Sequence, residues 1–278
     1  MPTDNYNRAA SETVGGSWVE VEEAPAAGSF TIGDEALPEH HANVLRVHAR
    51  RGTNSVTPAR GFMYYNQTWL DDQSSKALFF HSFILPFEHG RAPGGLAVRI
   101  NSCQPWDKPI GYGIIMDPAP SAGGFTLGKL YLLRYDEGVE VELGTSDGAN
   151  VKKLDTLEVK VVATTLSVLR TKGTNWPALE QGGIDTLITV VDTTYANGKV
   201  GYIQNSDGST NFTNPPFPCF QEWDDWVGTD LSGITTGGSC GSAMADPAAP
   251  EATYGTHDFP TYHGPTLHET GMHVLRRI

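Results

Sequence analysis

The chain has 278 residues, 39% of them hydrophobic and 18% charged, enough for one large sandwich or two ordinary domains. Its 19 Lys and Arg stand against 32 Asp and Glu, and the net charge of −13 argues against nucleic acid or an anionic membrane as partner. With 31 Gly, 18 Pro and no long helical pattern, the composition reads as all-β and rich in turns.

Met1-Pro2-Thr3-Asp4 opens a polar arm, residues 1–16, with neither the basic nor the apolar part of a signal peptide. No run approaches the roughly 20 apolar residues of a membrane span. The expectation is a soluble chain that is not secreted by the usual route, in which the sequons at Asn66 and Asn211 are incidental. Cys103, Cys219 and Cys240 form neither a disulfide framework nor a metal motif. A reduced compartment is the simpler reading, and a Cys219–Cys240 pair is the alternative.

Trp18 to Val21 is the first strand candidate, followed by the short run Gly28 to Asp34 and by the alternating Asn43 to His48. Gly61 to Asn66 and Lys76 to Phe87 are the most apolar runs. The second is nearly continuous, as in a central strand covered on both faces. Gly94 to Asn101, Tyr112 to Met116 and Lys129 to Tyr135 follow. From Asp155 the pattern is clearest. Leu157, Val159 and Val161 alternate with Glu158 and Lys160, Ala163-Thr164-Thr165 makes a turn, and Leu166, Val168 and Arg170 return. Asp185 to Val191 is rich in β-branched residues. Asn197-Gly198 then marks a tight turn before Val200, Tyr202 and Gln204, and Phe220 to Trp226 closes the series.

The segment Asp192-Thr193-Thr194-Tyr195-Ala196-Asn197-Gly198-Lys199-Val200-Gly201 resembles the D-s-t-y-a-x-G-x-v-G motif of concanavalin A-like (laminin-G-like) β-sandwiches. Gly94 to Arg99, Tyr112 to Met116, Leu130 to Arg134 and the closing Phe220 to Trp226 are similar to further blocks of that family and stand in its order, over roughly residues 15–230. The resemblance implies an all-β, two-sheet antiparallel jelly roll at 17–230, with an arm before it and an extended tail, 231–278, after it. It also implies structural roles for Asp192, Tyr195, Gly198, Gly201, Asp224 and Asp225: turn hydrogen bonds, a positive φ and a closing acidic pair.

Glycosidases of this fold place acids at alternate positions of one strand, because retaining hydrolysis needs two carboxylates about 5–5.5 Å apart. Neither Glu140/Glu142 nor Glu222/Asp224 reproduces their spacing. His268-Glu269-Thr270-Gly271-Met272-His273 misses H-E-x-x-H by one residue and contains a glycine where a helix is required. No metal and no cofactor is expected. Sugar recognition needs an aromatic face beside amide or carboxylate partners. Trp69 with Asp71, Trp106 with Asp107, and Trp176 with Asn175 offer that combination in loop-like sequence.

Residues 231–265 are dominated by Gly, Ser, Thr, Ala and Pro, and an arm without a core is most easily ordered by neighbouring subunits. Together with the missing catalytic motif, this suggests an assembly component, and the resemblance to a sandwich that phage particles use implies a non-catalytic structural component of a bacteriophage virion, made in the host cytoplasm: a tail, baseplate or capsid-associated (decoration) protein. Its arms would contact other virion proteins and copies of itself, and it would contribute to attachment to a host-surface polysaccharide. A lectin module and a glycan hydrolase or lyase are the alternatives.

Overall fold

A computed structural model describes residues 1–6, 14–22, 30–32, 44–48, 59–67, 69–83, 94–101, 110–118, 127–137, 139–206 and 220–231. All of them belong to the compact unit Met1–Gly241. The expected tail beyond Leu231, with its histidines, and all three cysteines lie outside the described residues.

The elements are β1 (Thr3–Asp4), β2 (Trp18–Glu22), β3 (Phe30–Ile32), β4 (Leu45–His48), β5 (Ala59–Tyr65), β6 (Gln73–Phe83), β7 (Gly94–Asn101) and β8 (Ile110–Pro118). They continue with β9 (Leu127–Asp136), β10 (Val139–Val151), β11 (Thr156–Val162), β12 (Thr165–Thr171), β13 (Ile184–Val191), β14 (Lys199–Ser206) and β15 (Phe220–Asp230). No helix occurs among the described residues. Two antiparallel sheets form a sandwich. Sheet A runs β13-β12-β11-β6-β15-β4-β3, with β1 added to β15, and sheet B runs β10-β9-β8-β7-β14-β5-β2.

The main core lies between the sheets. Leu157, Val159, Val161, Leu166 and Val168 from sheet A meet Leu96, Val98, Tyr112, Ile114, Leu130, Leu132, Val200 and Tyr202 from sheet B. Side-chain alternation along each strand puts these residues on the facing sides. A second apolar cluster, including Phe62, Tyr64, Ile115, Tyr131, Leu133 and Ile203, is buried on the other face of sheet B. The strands with buried apolar side chains on both faces are therefore β5, β7, β8, β9 and β14, all in sheet B. The run at β6, expected to be such a strand, is buried at Gln73, Ser75, Ala77 and Phe79 and only half-buried at Lys76, Leu78 and Phe80. The outer face of its sheet carries both polar and apolar side chains in partial contact with water, and residues 84–87 of the expected run lie outside those described.

Three further differences have local causes. Strand β10 breaks the simple alternation with register shifts between Glu142 and Gly144 and between Asp147 and Val151. The Asn197-Gly198 pair makes no hairpin, because residues 192–198 carry the chain from sheet A to sheet B. Gly198 is needed for another reason: its φ is +147°, and a Cβ there would lie 2.4 Å from the Arg99 carbonyl carbon. The first six residues are not an arm. Thr3 and Asp4 pair with Val227 and Trp226, and Tyr6 is fully buried with its ring 6.1 Å from that of Trp18.

Strand β15 carries a bulge. Asp224 pairs with Leu78 but Val227 pairs with Lys76, so one residue is extra, and Asp225 takes a φ of +47°. In a regular strand, residues 223 and 226 would face opposite ways. The bulge lets Trp223 and Trp226 both enter the core, where Trp226 lies 4.6 Å from Trp18 and donates its indole N–H to Ser75 Oγ.

Candidate functional site

The two ends of the sandwich hold different parts of the expected glycan site. The turn at Ala163-Thr164 lies at one end of the β11–β12 hairpin, and Thr156 and Thr171 lie at the other, roughly 20 Å away along seven-residue strands. Asp71 and Trp69 sit at the first end and Asn175 and Trp176 at the second. Trp106 and Asp107 lie outside the described residues.

At the first end, the expectation of an exposed Trp69 is corrected. Its side chain is 4% exposed, packs over Gly228 beside Trp226, and is part of the core. Asp71 is exposed, but its backbone carbonyl belongs to a structural clamp. Arg99 sits at a bulge in β7 with φ +51°. Its guanidinium donates to the carbonyls of Asp71, Ala163 and Tyr195, joining three connections around this end. Burial lowers its pKa, and the approach of Tyr112, Asp71 and Asp72 opposes that.

Next to the clamp lies a closed polar network. Arg134 forms a two-pronged ion pair with Asp136 and donates to Asp192 Oδ2 at 2.6 Å. The Tyr112 hydroxyl donates to Asp192 Oδ1 at 2.7 Å and accepts the Tyr195 N–H at 3.0 Å. The Tyr195 hydroxyl in turn donates to Asp136 Oδ1 at 2.7 Å. Burial alone would raise the pKa of Asp192, but hydrogen bonds from Tyr112, Thr194 and Arg134 outweigh it and hold the carboxylate below its ordinary range. Burial and the bond to Asp136 push the Tyr195 hydroxyl well up. With its donors and acceptors matched to one another, the network fixes the crossing from β13 to β14. Gly201 has a similar structural task, since a Cβ there would lie 2.0 Å from the Met63 carbonyl oxygen.

At the second end, Asp155 is fully buried and organises a rim. Oδ2 accepts the Lys152 N–H at 2.9 Å, while Oδ1 accepts the Gly173 N–H at 2.9 Å and the Trp176 indole N–H at 2.7 Å. The loop between β12 and β13 is tied internally. Gln181 Nε2 donates to the carbonyl of Trp176, and Asn175 Nδ2 reaches across to that of Lys153. Trp176 is half-exposed and ringed by cations: Lys152 Nζ lies 3.8 Å from its ring centre, and Arg170 and Lys172 both lie 4.7 Å away. Lys153 Nζ lies 5.1 Å over the Phe80 ring.

Arg170 is paired with Asp185, and Lys172 with Glu180 and Asp185. The Arg170 hydrogen bond is the chief reason the Asp185 carboxyl is held low. By contrast, the ammonium groups of Lys152 and Lys153 have aromatic rings as neighbours and no carboxylate partner among the described residues. The sequence reading named Asn175 and Trp176 but missed these cations. The Lys152-Lys153 pair in a chain with few cations was the available signal.

The acidic candidates separate as well. Glu222 is fully buried and bound to Arg46 at 3.0 Å, its cross-strand partner, so it is committed to an ion pair. Glu140 and Glu142 lie on the edge strand β10, with Glu142 exposed. Asp224 is half-buried, accepts the Asp225 N–H at 2.8 Å, and is pushed up to about 6 by burial. Among the described residues no group of three or more His, Cys, Asp or Glu is placed to hold a metal ion.

No protein-family model matches the chain, and no curated protein matches it. Solved structures do. The exoplasmic/lumenal domain of VIP36, in a form bound to Ca2+ and Man3GlcNAc, superposes with a TM-score of 0.46 at 13% identity over 79% of this chain and 86% of that one. The potassium-bound carbohydrate recognition domain of Emp46p gives 0.39 at 11% over 76% and 88%. A variant of the GH43 protein BlXynB from Bacillus licheniformis gives 0.49 at 12% over 82% of this chain but 39% of its own. At this level of likeness, neither a ligand nor an activity passes from those proteins to this one.

Proposed function

We propose that the chain is a non-catalytic, carbohydrate-binding β-sandwich, and that its glycan surface is the rim formed by Lys152, Lys153, Asn175 and Trp176, with a preference for sugars carrying an anionic group. The observation that supports this most directly is the pair of ammonium groups, held over aromatic rings beside a half-exposed tryptophan, that have no carboxylate partner among the described residues. Cations cover much of the Trp176 face, so a neutral pyranose would have to displace Lys152 to stack there. A uronate, sulfate or phosphate substituent would instead be met by it. Among the described residues, Arg170 and Lys172 are paired with carboxylates of the chain while Lys152 and Lys153 are not, which favours binding over mere structural closure.

A non-catalytic role is favoured by the commitment of Glu222 to Arg46. The virion setting rested on terminal arms reaching neighbouring subunits. Met1–Tyr6 instead completes its own sandwich, residues 232–278 lie outside those described, and neither the structure nor the comparisons supports that setting.

The test measures retention on acidic and neutral polysaccharides together with release of reducing ends. The expected result is retention on acidic polymers without release. It should weaken at least tenfold in the Lys152→Gln/Lys153→Gln double variant, whose melting temperature should stay close to that of the parent. Equal retention by the double variant would sink the assignment of the rim, and release of reducing sugar would overturn the non-catalytic reading.

A further inference from the structure

Among the described residues, the end strands of the two sheets are not equally guarded. Edge strand β10 carries Glu140 and Glu142, and β2 carries Glu20 and Glu22. Strand β3 is three residues long. A second copy of a chain with charge −13 would meet repulsion at β10 and β2 and little strand at β3. The fourth edge, β13, is eight residues long, Ile-Asp-Thr-Leu-Ile-Thr-Val-Val, with no Lys, Pro or Gly. Its single charge, Asp185, is neutralised within the chain by Arg170 and Lys172.

The exposed residues of β13 form a symmetric pattern. Register with β12 passes from Val168↔Ile188 to Leu169↔Thr186, so Leu187 is the extra residue of a bulge. Through it, Ile184, Thr186, Thr189 and Val191 all lie on the outer face of sheet A. Ile184 is 68% and Val191 70% exposed, among the most exposed large apolar side chains described. Read in either direction, this outward row is a β-branched aliphatic residue, Thr, Thr and a β-branched aliphatic residue, centred between Leu187 and Ile188. Such a strand complements an antiparallel copy of itself about a two-fold axis.

We propose that β13 is a self-association edge. It would pair with β13 of a second copy in the register that sets Ile184 opposite the second copy's Val191 and Thr186 opposite its Thr189. Directly opposed residues in an antiparallel pair point to the same face, so each exposed aliphatic side chain gains an aliphatic neighbour and each Thr a Thr. Sheet A would continue without interruption from one copy into the other. The two Trp176 loops, each leading straight into β13, would belong to one particle. The dimer does not depend on what the rim binds.

Light scattering on the purified full chain should give twice the 30.0 kDa monomer mass, and dilution should lower it. Ile184→Lys/Val191→Lys should return it to the monomer mass without loss of the folded spectrum. The register is tested separately. Under mild oxidation, Thr186→Cys/Thr189→Cys should give a covalent dimer whose 186–189 link is found by peptide mass spectrometry. Thr186→Cys alone should not, because two copies of residue 186 stand too far apart for a disulfide. A parent chain that is monomeric up to about 100 μM, weaker than any stable dimer, would overturn the proposal. So would a dimer that survives the two lysines, or one that links as well through Thr186→Cys alone.

Discussion

Arg99, on β7 of sheet B, ties together three connections at one end of the sandwich, and its replacement tests the structure there. In Arg99→Met the side-chain volume is roughly kept, but four N–H donations to the carbonyls of Asp71, Ala163 and Tyr195 are lost. A hydrogen bond from a charged donor contributes about 1.5–3 kcal/mol net, and each carbonyl left dry costs a further fraction of that. Against this stands the burial of the guanidinium, which lowers its pKa and makes its presence in the folded chain costly. The balance comes to about 3–5 kcal/mol of lost stability, which in a chain of this size lowers Tm by roughly 5–9 °C. Urea titration followed by tryptophan fluorescence should show the lower midpoint, with little change in slope if the denatured state is unaffected. Arg99→Lys, which keeps the charge but cannot reach three carbonyls from one planar fork, should recover less than half of the loss. A loss below about 1 kcal/mol in Arg99→Met would refute the clamp, since the carbonyls would then be satisfied without it.

Two further predictions concern β15. The folded pKa of Asp224, about 6, lies above the ordinary carboxyl value. The neutral form therefore favours folding, and this contribution is present below roughly pH 4 and lost as pH rises towards 6. Asp224→Asn should gain about 1 kcal/mol over the parent at pH 7, discounted for a side chain half in water, and nothing at pH 3.5; thermal melts at the two values read the difference. A gain that is equal at both would show that the carboxyl does not titrate as described. Glu222→Ala removes the carboxylate 3.0 Å from the buried Arg46 guanidinium and should lose about 3–5 kcal/mol, while Glu222→Ala/Arg46→Met should recover much of it. A double variant no better than the single in urea titration would remove the ion pair from the account.

The strands were legible wherever one face is wet and the other dry. Leu157, Val159 and Val161 alternate in sequence and in burial alike, and β11, β12 and β14 lie close to where alternation puts them. Legibility failed where the backbone departs from period two or where burial is two-sided. Trp223 and Trp226 share a face only through the bulge at Asp225, which spacing does not announce. Thr3 and Asp4 form too short a strand to show any period, and β10 hides behind two register shifts. The candidate site was half legible. An indole beside an amide can be seen at Asn175-Trp176, but the position of Lys152 over that ring depends on Asp155, which draws together the two connections flanking the β11–β12 hairpin. Trp69 looked the same in sequence, and only the space over Gly228 decides that it is core.

Strand β15, among the last described segments to be synthesised, does not sit at the margin of its sheet. It lies between β6 and β4, and β1 continues the pairing where β4 stops. On the ribosome, β6 and β4 are therefore made long before the strand that joins them, and the first strand waits for the last. Until residues 220–230 emerge, β6 has an unpaired side, as does β4, and Trp18 lacks its contact with Trp226. Sheet A can close only after nearly the whole sandwich has been translated, a non-local and slow route to the native state. The waiting intermediate is open to pairing with other nascent chains. Truncation anywhere before Phe220 should accordingly give an aggregating chain rather than a smaller sandwich, and recovery of folded protein should depend on how quickly β15 finds the gap left for it.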